Sequence, residues 1–199
     1  MDNQPTDDQK PQKWRWLLFA TPAIVFVVMA MMLAKGLQYD PTKLPLAIKG
    51  QTFPEFRLPD LLADRLIDQT QLQGPALVNI WATWCPTCIV EHEALTQISQ
   101  RGVPIYGVNY RDEPAMARSF LAKRGNPFRW VVEDYSGQLG MELGMFGAPE
   151  TYFVDANNRV IHRHVGEVSV ELWGSELAAV WEQAVNPPAS MPSVKEGGQ

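Results

Sequence analysis

The 199-residue sequence predicts an α/β fold, a mixed central β-sheet flanked by helices, placed behind an N-terminal transmembrane helix. Three observations carry this. An apolar stretch without a charged residue runs from Leu17 to Ala34. Short apolar, β-branched runs then alternate with segments of helical period. Near the end, two alternating runs flank Ala156-Asn157-Asn158, a hairpin signal.

Residues 17–34 lie at the lower end of the roughly 20 residues that cross a bilayer as a helix. Trp14 and Trp16 stand at the start and Tyr39 just past the end, where interfacial aromatics belong, and Lys13, Arg15 and Lys35 flank the run. A cleaved signal peptide would have a shorter apolar core and a small-x-small site, and Met32 sits two before Ala34. A buried core helix would show a polar face, and this segment has none. The uncleaved anchor is therefore the favoured reading. Lys10, Lys13 and Arg15 before it nearly balance Lys35, Lys43 and Lys49 after it, so charge alone leaves the orientation open. The expected organisation is a tail (1–16), an anchor (17–34), a Pro-containing linker (35–50), a folded domain (51–186) and a Pro-, Gly- and Ser-rich tail (187–199).

Within the domain, Phe53–Leu58 reads as an entry strand and Leu62–Leu72 is ambiguous. Pro75–Ala82 is a short apolar run of the kind that forms a buried central strand. Residues 86–99 follow as a helix, with Pro86 in its first turn and Ile89, Val90, Leu95 and Ile98 at helical spacing. Val103–Tyr110 is the next strand, Pro114–Lys123 a helix, Phe128–Glu133 a strand and Gly137–Leu143 a short helix. Thr151–Asp155 and Arg159–Val165 form the hairpin, and Val170–Val185 closes the domain as an amphipathic helix. The early crossovers predict parallel pairs and the hairpin an antiparallel edge.

A net charge of −5 and no run of clustered Lys and Arg argue against a nucleic-acid partner. The chain has two cysteines, Cys85 and Cys88, with Pro86 and Thr87 between them. A disulfide there closes a very short loop and constrains the unfolded chain little, so chemistry explains the pair better than stability does. Cys85 falls where a buried strand gives way to a helix, whose first N–H groups lack partners and favour a thiolate below the free thiol pKa of about 8.5. Cys88, one turn further in, would be the more shielded of the two. An exposed Cys85 would attack a substrate disulfide and Cys88 would resolve the mixed disulfide. A zinc site normally needs four ligands; His162 and His164, on one face of a predicted strand, are only a weak metal hint.

Trp81-Ala82-Thr83-Trp84-Cys85-Pro86-Thr87-Cys88 resembles the active site of the thioredoxin superfamily. Gly107-Val108-Asn109-Tyr110-Arg111-Asp112-Glu113, Leu139-Gly140-Met141-Glu142-Leu143-Gly144 and Gly147-Ala148-Pro149-Glu150-Thr151 narrow the resemblance to its cytochrome c maturation branch, the DsbE or CcmG type. The resemblance implies a thioredoxin-like fold, a redox-active Cys85–Cys88 disulfide and no cofactor. Pro149 would be a cis-proline facing the cysteines, with backbone beside Ala148 able to pair with a substrate peptide. Trp84 would shield one side of Cys85, and Glu91 and Glu150 would be acidic residues near the site. A carboxylate close to Cys85 would oppose the thiolate, against the helix-terminus effect.

The resemblance also implies a catalytic domain in the bacterial periplasm, anchored in the inner membrane. A membrane thiol reductant of the DsbD or CcdA type would supply electrons. The substrate would be the disulfide of an apocytochrome c haem-attachment motif or of a maturation partner with its own cysteine pair. A general periplasmic oxidant or isomerase, and an apocytochrome-binding chaperone module, are the competing readings.

Overall fold

The computed structural model describes residues 13–37 and 48–187, which fall in two compact units, the N-terminal helix and the domain that follows. Helix α1 (Lys13–Leu37) begins four residues before the expected span and contains Pro22. Its side chains are described over residues 22–35. Among the described residues no helix is long and apolar enough to cross a membrane. The ends of the expected tails, most of the linker and Tyr39 lie outside the described residues.

The domain is built on a five-stranded sheet in the order β5-β4-β3-β6-β7. Its strands are β3 (Ala76–Trp81), β4 (Ile105–Tyr110), β5 (Val131–Asp134), β6 (Glu150–Val154) and β7 (Val160–Val165). β3 pairs parallel with β4, and β4 with β5, through crossovers containing α2 (Pro86–Gln100) and α3 (Pro114–Arg124). β6 enters antiparallel beside β3 and β7 antiparallel beside β6, as the hairpin signal requires. Every residue of β3 is buried, which a strand at the middle of a sheet covered on both faces demands.

Strand alternation sorts the core into two layers. Leu77, Trp81 and Phe153 pack on one face with Cys85, Cys88 and Leu95, while Val78, Ile80, Tyr152 and Val154 pack on the other. The cysteines therefore belong to the first layer. The second is closed by Phe53, Phe56 and Trp130, and by Leu139 of α4 (Gln138–Glu142).

Three stretches differ from expectation. The entry strand shrinks to β1 (Arg57–Pro59), because Phe53 and Phe56 turn inward as core residues with ring centroids 6.1 Å apart. The ambiguous segment resolves into β2 (Leu66–Asp68), antiparallel to β1, followed by a 3₁₀ turn that Asp68 caps through the Thr70 N–H. The closing helix is interrupted: α5 (Val170–Leu172) and α6 (Ala178–Val185) are joined by a π-helical turn over Trp173–Leu177. Both Trp173 and Leu177, four residues apart at the two ends of this turn, are buried. Residues 48–50, counted with the linker, already pack on the domain: Ile48 is buried and the Gly50 N–H donates to the Val160 carbonyl.

Candidate active site at the start of helix α2

Cys85 is the N-cap of α2 and Pro86 is its first residue, where a missing N–H costs nothing. The Cys85 sulfur accepts from the Cys88 N–H at 3.1 Å, so the sulfur itself satisfies one of the orphan donors of the helix. The cysteines are joined as a disulfide with Cα atoms 5.3 Å apart. The expected contrast between an exposed Cys85 and a shielded Cys88 is absent in this form: they are 3% and 4% exposed. The reason is the loop before β6, whose Ala148 carbonyl lies 3.5 Å from the Cys85 sulfur and covers it. Pro86 and Thr87 are exposed beside the pair.

That loop carries the Ala148–Pro149 peptide in the cis form, as expected, and the Pro149 carbonyl accepts from Gly166 N–H at 2.9 Å. Glu150, the first residue of β6, is fully buried and not a loop charge. Strand parity points it to the Tyr152 layer, on the sheet face away from the cysteines. There it accepts from the Phe146 N–H and the Tyr152 hydroxyl, both at 2.7 Å, and faces the Arg163 guanidinium at 3.9 Å. Arg163 in turn donates to the Gly144 carbonyl and lies 4.9 Å over the Phe146 ring. Glu150 and Arg163 thus hold the segment 144–149 that places Pro149.

Trp84 is 53% exposed and donates its ring N–H to the Arg111 carbonyl at 3.0 Å. It stands beside Cys85 as a flank more than a lid, with Met116 and Tyr135 also exposed around a depression of about 550 Å³. The loop Ala82-Thr83-Trp84 is clamped by Asp112, which accepts from the Thr83 N–H and hydroxyl, both at 2.6 Å, and from Asn109 and the Glu113 N–H, both at 2.9 Å. The sequence quotes Asp112 within a motif but gives no hint of this task. Asp112→Ala is expected to lower stability by about 2–3 kcal/mol, since four donors, that of Asn109 buried, lose their acceptor together. Denaturant unfolding measures this, and an unchanged midpoint would show that the clamp is not structural.

Glu91, far from being a solvated helix position, is 1% exposed. It lies on α2 one turn beyond Cys88, on the cysteine side of the sheet. Its oxygens accept from the Asn79 side-chain amide at 3.0 Å and the Val168 N–H at 3.1 Å. Burial pushes its carboxyl up to about 7; the two hydrogen bonds hold the rise back and the Glu167 charge adds to it. Asn79 also donates to Thr151 at 3.1 Å. Neither Asn79 nor Thr151 was singled out from the sequence, although a lone polar residue inside the apolar run of β3 was the available signal.

Among the described residues no group of three or more His, Cys, Asp or Glu side chains is placed to hold a metal ion. His162 packs edge-on against Phe153, and burial lowers its pKa, while His164 pairs with the Glu167 carbonyl at 3.0 Å.

A family model described as Redoxin matches residues 48–180. A thiol:disulfide interchange protein DsbE from Pseudomonas fluorescens biotype C is 43% identical over 173 residues, covering 86% of this chain and 97% of the relative. The protein of the same description from Pseudomonas aeruginosa is 42% identical over 169 residues, covering 84% and 94%. Among solved structures, a thiol:disulfide interchange protein of DsbE type from Chlorobium tepidum superimposes with a TM-score of 0.58 at 25% identity, covering 68% of this chain and 96% of that one.

Proposed function

The chain belongs to the Redoxin family, as a thiol–disulfide oxidoreductase of the DsbE type with a thioredoxin-like fold, and from that premise we propose that it is a membrane-anchored periplasmic reductant of cytochrome c maturation. The observation that carries this reading is the Cys85 sulfur at the cap of α2, taking the Cys88 N–H and facing the backbone beside cis-Pro149.

Reduced Cys85 attacks one sulfur of the partner's disulfide and displaces the other as a thiolate. The helix N-terminus stabilises the attacking thiolate, and the same Cys85 sulfur is the one Cys88 reaches in the next step. Cys88 then attacks the Cys85 sulfur, releasing the partner's second thiol and leaving the Cys85–Cys88 disulfide present in the structure. Two electrons pass to the partner. Glu91, with its carboxyl near neutrality, takes the Cys88 proton so that the resolving thiol becomes a nucleophile. Trp84, Pro86 and Thr87 are exposed around the sulfurs and form the surface a partner meets. Pro149 positions backbone against an extended substrate segment, and Glu150 acts through the loop it anchors.

The substrate class is the disulfide of an apocytochrome c attachment motif, or of a maturation partner with a cysteine pair, since haem attachment needs both thiols free. An oxidising periplasm makes the reduced form depend on an electron supply, here a membrane thiol reductant of the DsbD or CcdA type. The anchor rests on the sequence: residues 17–34 carry no charge and would hold the domain on the periplasmic side.

The test is the equilibrium reduction potential of the full chain in detergent against a thiol buffer. A value of about −270 to −200 mV is expected for a reductant of this kind. A value near about −120 mV would overturn the reading in favour of an oxidant.

A further inference from the structure

We propose that Asn79 is a positioning residue whose side-chain amide turns over in place, offering Glu91 a donor when the carboxyl is charged and an acceptor when it is neutral. The inference deepens the reading of Glu91 as the proton partner of Cys88 and rests on it.

The hydrogen-bond count around Glu91 is one-sided. One oxygen accepts from Asn79 Nδ2 and the other from the Val168 N–H. Nδ2 gives its second hydrogen to Thr151 Oγ1. Asn79 Oδ1, on the same buried amide, has no hydrogen-bond partner among the described residues. This arrangement suits a carboxylate and fails a carboxylic acid, whose O–H would meet only donors. A half-turn of the amide about its last torsion exchanges Oδ1 and Nδ2. Oδ1 then accepts from the Glu91 O–H and from the Thr151 hydroxyl, which can donate as readily as it accepts. Neither β3, β6 nor α2 has to move. A residue with a single kind of polar group at position 79 would serve one protonation state and strand the other.

The other ionisable groups set against Glu91 are few. Glu167, on the connection after β7, adds a like charge, and Cys88 stands one turn earlier on α2. His164 pairs with Thr151 across β6 and β7 and bonds the Glu167 carbonyl. None of these can accept the Glu91 proton where the Asn79 oxygen would. A carboxyl that both gains and loses a proton during exchange therefore needs the rotor to keep its place.

The experiment is a pH titration of the oxidised full chain in detergent by NMR, with asparagine side-chain nitrogen and glutamate carboxyl carbon labelled. The Asn79 amide proton shifts are expected to move with the same midpoint as the Glu91 carboxyl, and this movement should vanish in Glu91→Gln. A Glu91 that titrates while the Asn79 amide stays unchanged would overturn the rotor and leave the proton-partner reading standing. A Glu91 that does not titrate between about pH 5 and 9 would overturn both. The wild-type titration decides the matter even if a variant fails to fold.

Discussion

Full chain carrying Cys85→Ala is expected to lose disulfide exchange down to the uncatalysed background, while Cys88→Ala keeps the first attack and accumulates a partner bound through Cys85. Burial does not rank the two sulfurs, since both are covered in the disulfide form. Position on α2 does. Only the Cys85 sulfur lies at the cap, where it accepts the Cys88 N–H and where the partial positive charge of the helix end is strongest. Only Cys85 also contacts the Ala148 carbonyl, beside the backbone on which a substrate segment would lie. Cys88 sits inside the first turn, in reach of Cys85 but behind it. Without Cys88 the mixed disulfide has no internal resolver, and release waits for an outside thiol. Non-reducing electrophoresis of membranes from cells making each variant, with and without dithiothreitol, reads both results. Trapping by Cys85→Ala in place of Cys88→Ala would reverse the assignment.

Much of this site is legible in the sequence, for identifiable reasons. β3 and α2 are strongly patterned, so the junction that makes Cys85 a cap follows from a buried apolar run meeting Pro86. Pro149 was legible through its neighbours. Glu150 was not, because the face a strand residue takes depends on parity. A start of β6 one residue later would not change the sequence match but would leave its first side chain outside the ladder. Adjacent Pro149 and Glu150 thus end on different tasks, one beside the sulfurs and the other beneath the loop with Arg163. Glu91 was legible in position but not in environment: helical spacing places it one turn from Cys88, yet its burial comes from β3, β6 and the Val168 segment, all distant in sequence. Asp112 and the π-helical turn at Trp173–Leu177 likewise depend on contacts between segments that no local pattern encodes.

The second large effect concerns Glu91→Gln and runs through stability as well as exchange. The carboxyl is raised from 4.5 to about 7, with burial the leading cause. Below the unfolded value both states hold the proton and the group is neutral in each. Between 4.5 and about 7 the unfolded chain gives the proton up first, so the folded state loses ground as pH rises. Above about 7 the full deficit persists, because a buried charge is then kept in the folded state. At about 1.4 kcal/mol per pH unit this deficit is about 3 kcal/mol. Glutamine never ionises, so the oxidised variant should gain on the wild type by roughly that amount between about pH 4 and about pH 8, and the gap should open between 4.5 and about 7. Denaturant unfolding of the oxidised protein at the two ends measures it. A gap that stays constant with pH would mean that Glu91 titrates in the folded state at its unfolded value. The same substitution removes the proton acceptor for Cys88, so resolution of mixed disulfides should slow at neutral pH even as the fold becomes more stable. Gain of stability with loss of exchange is the signature of a buried group retained for chemistry. A variant that lost both would instead make Glu91 a structural residue.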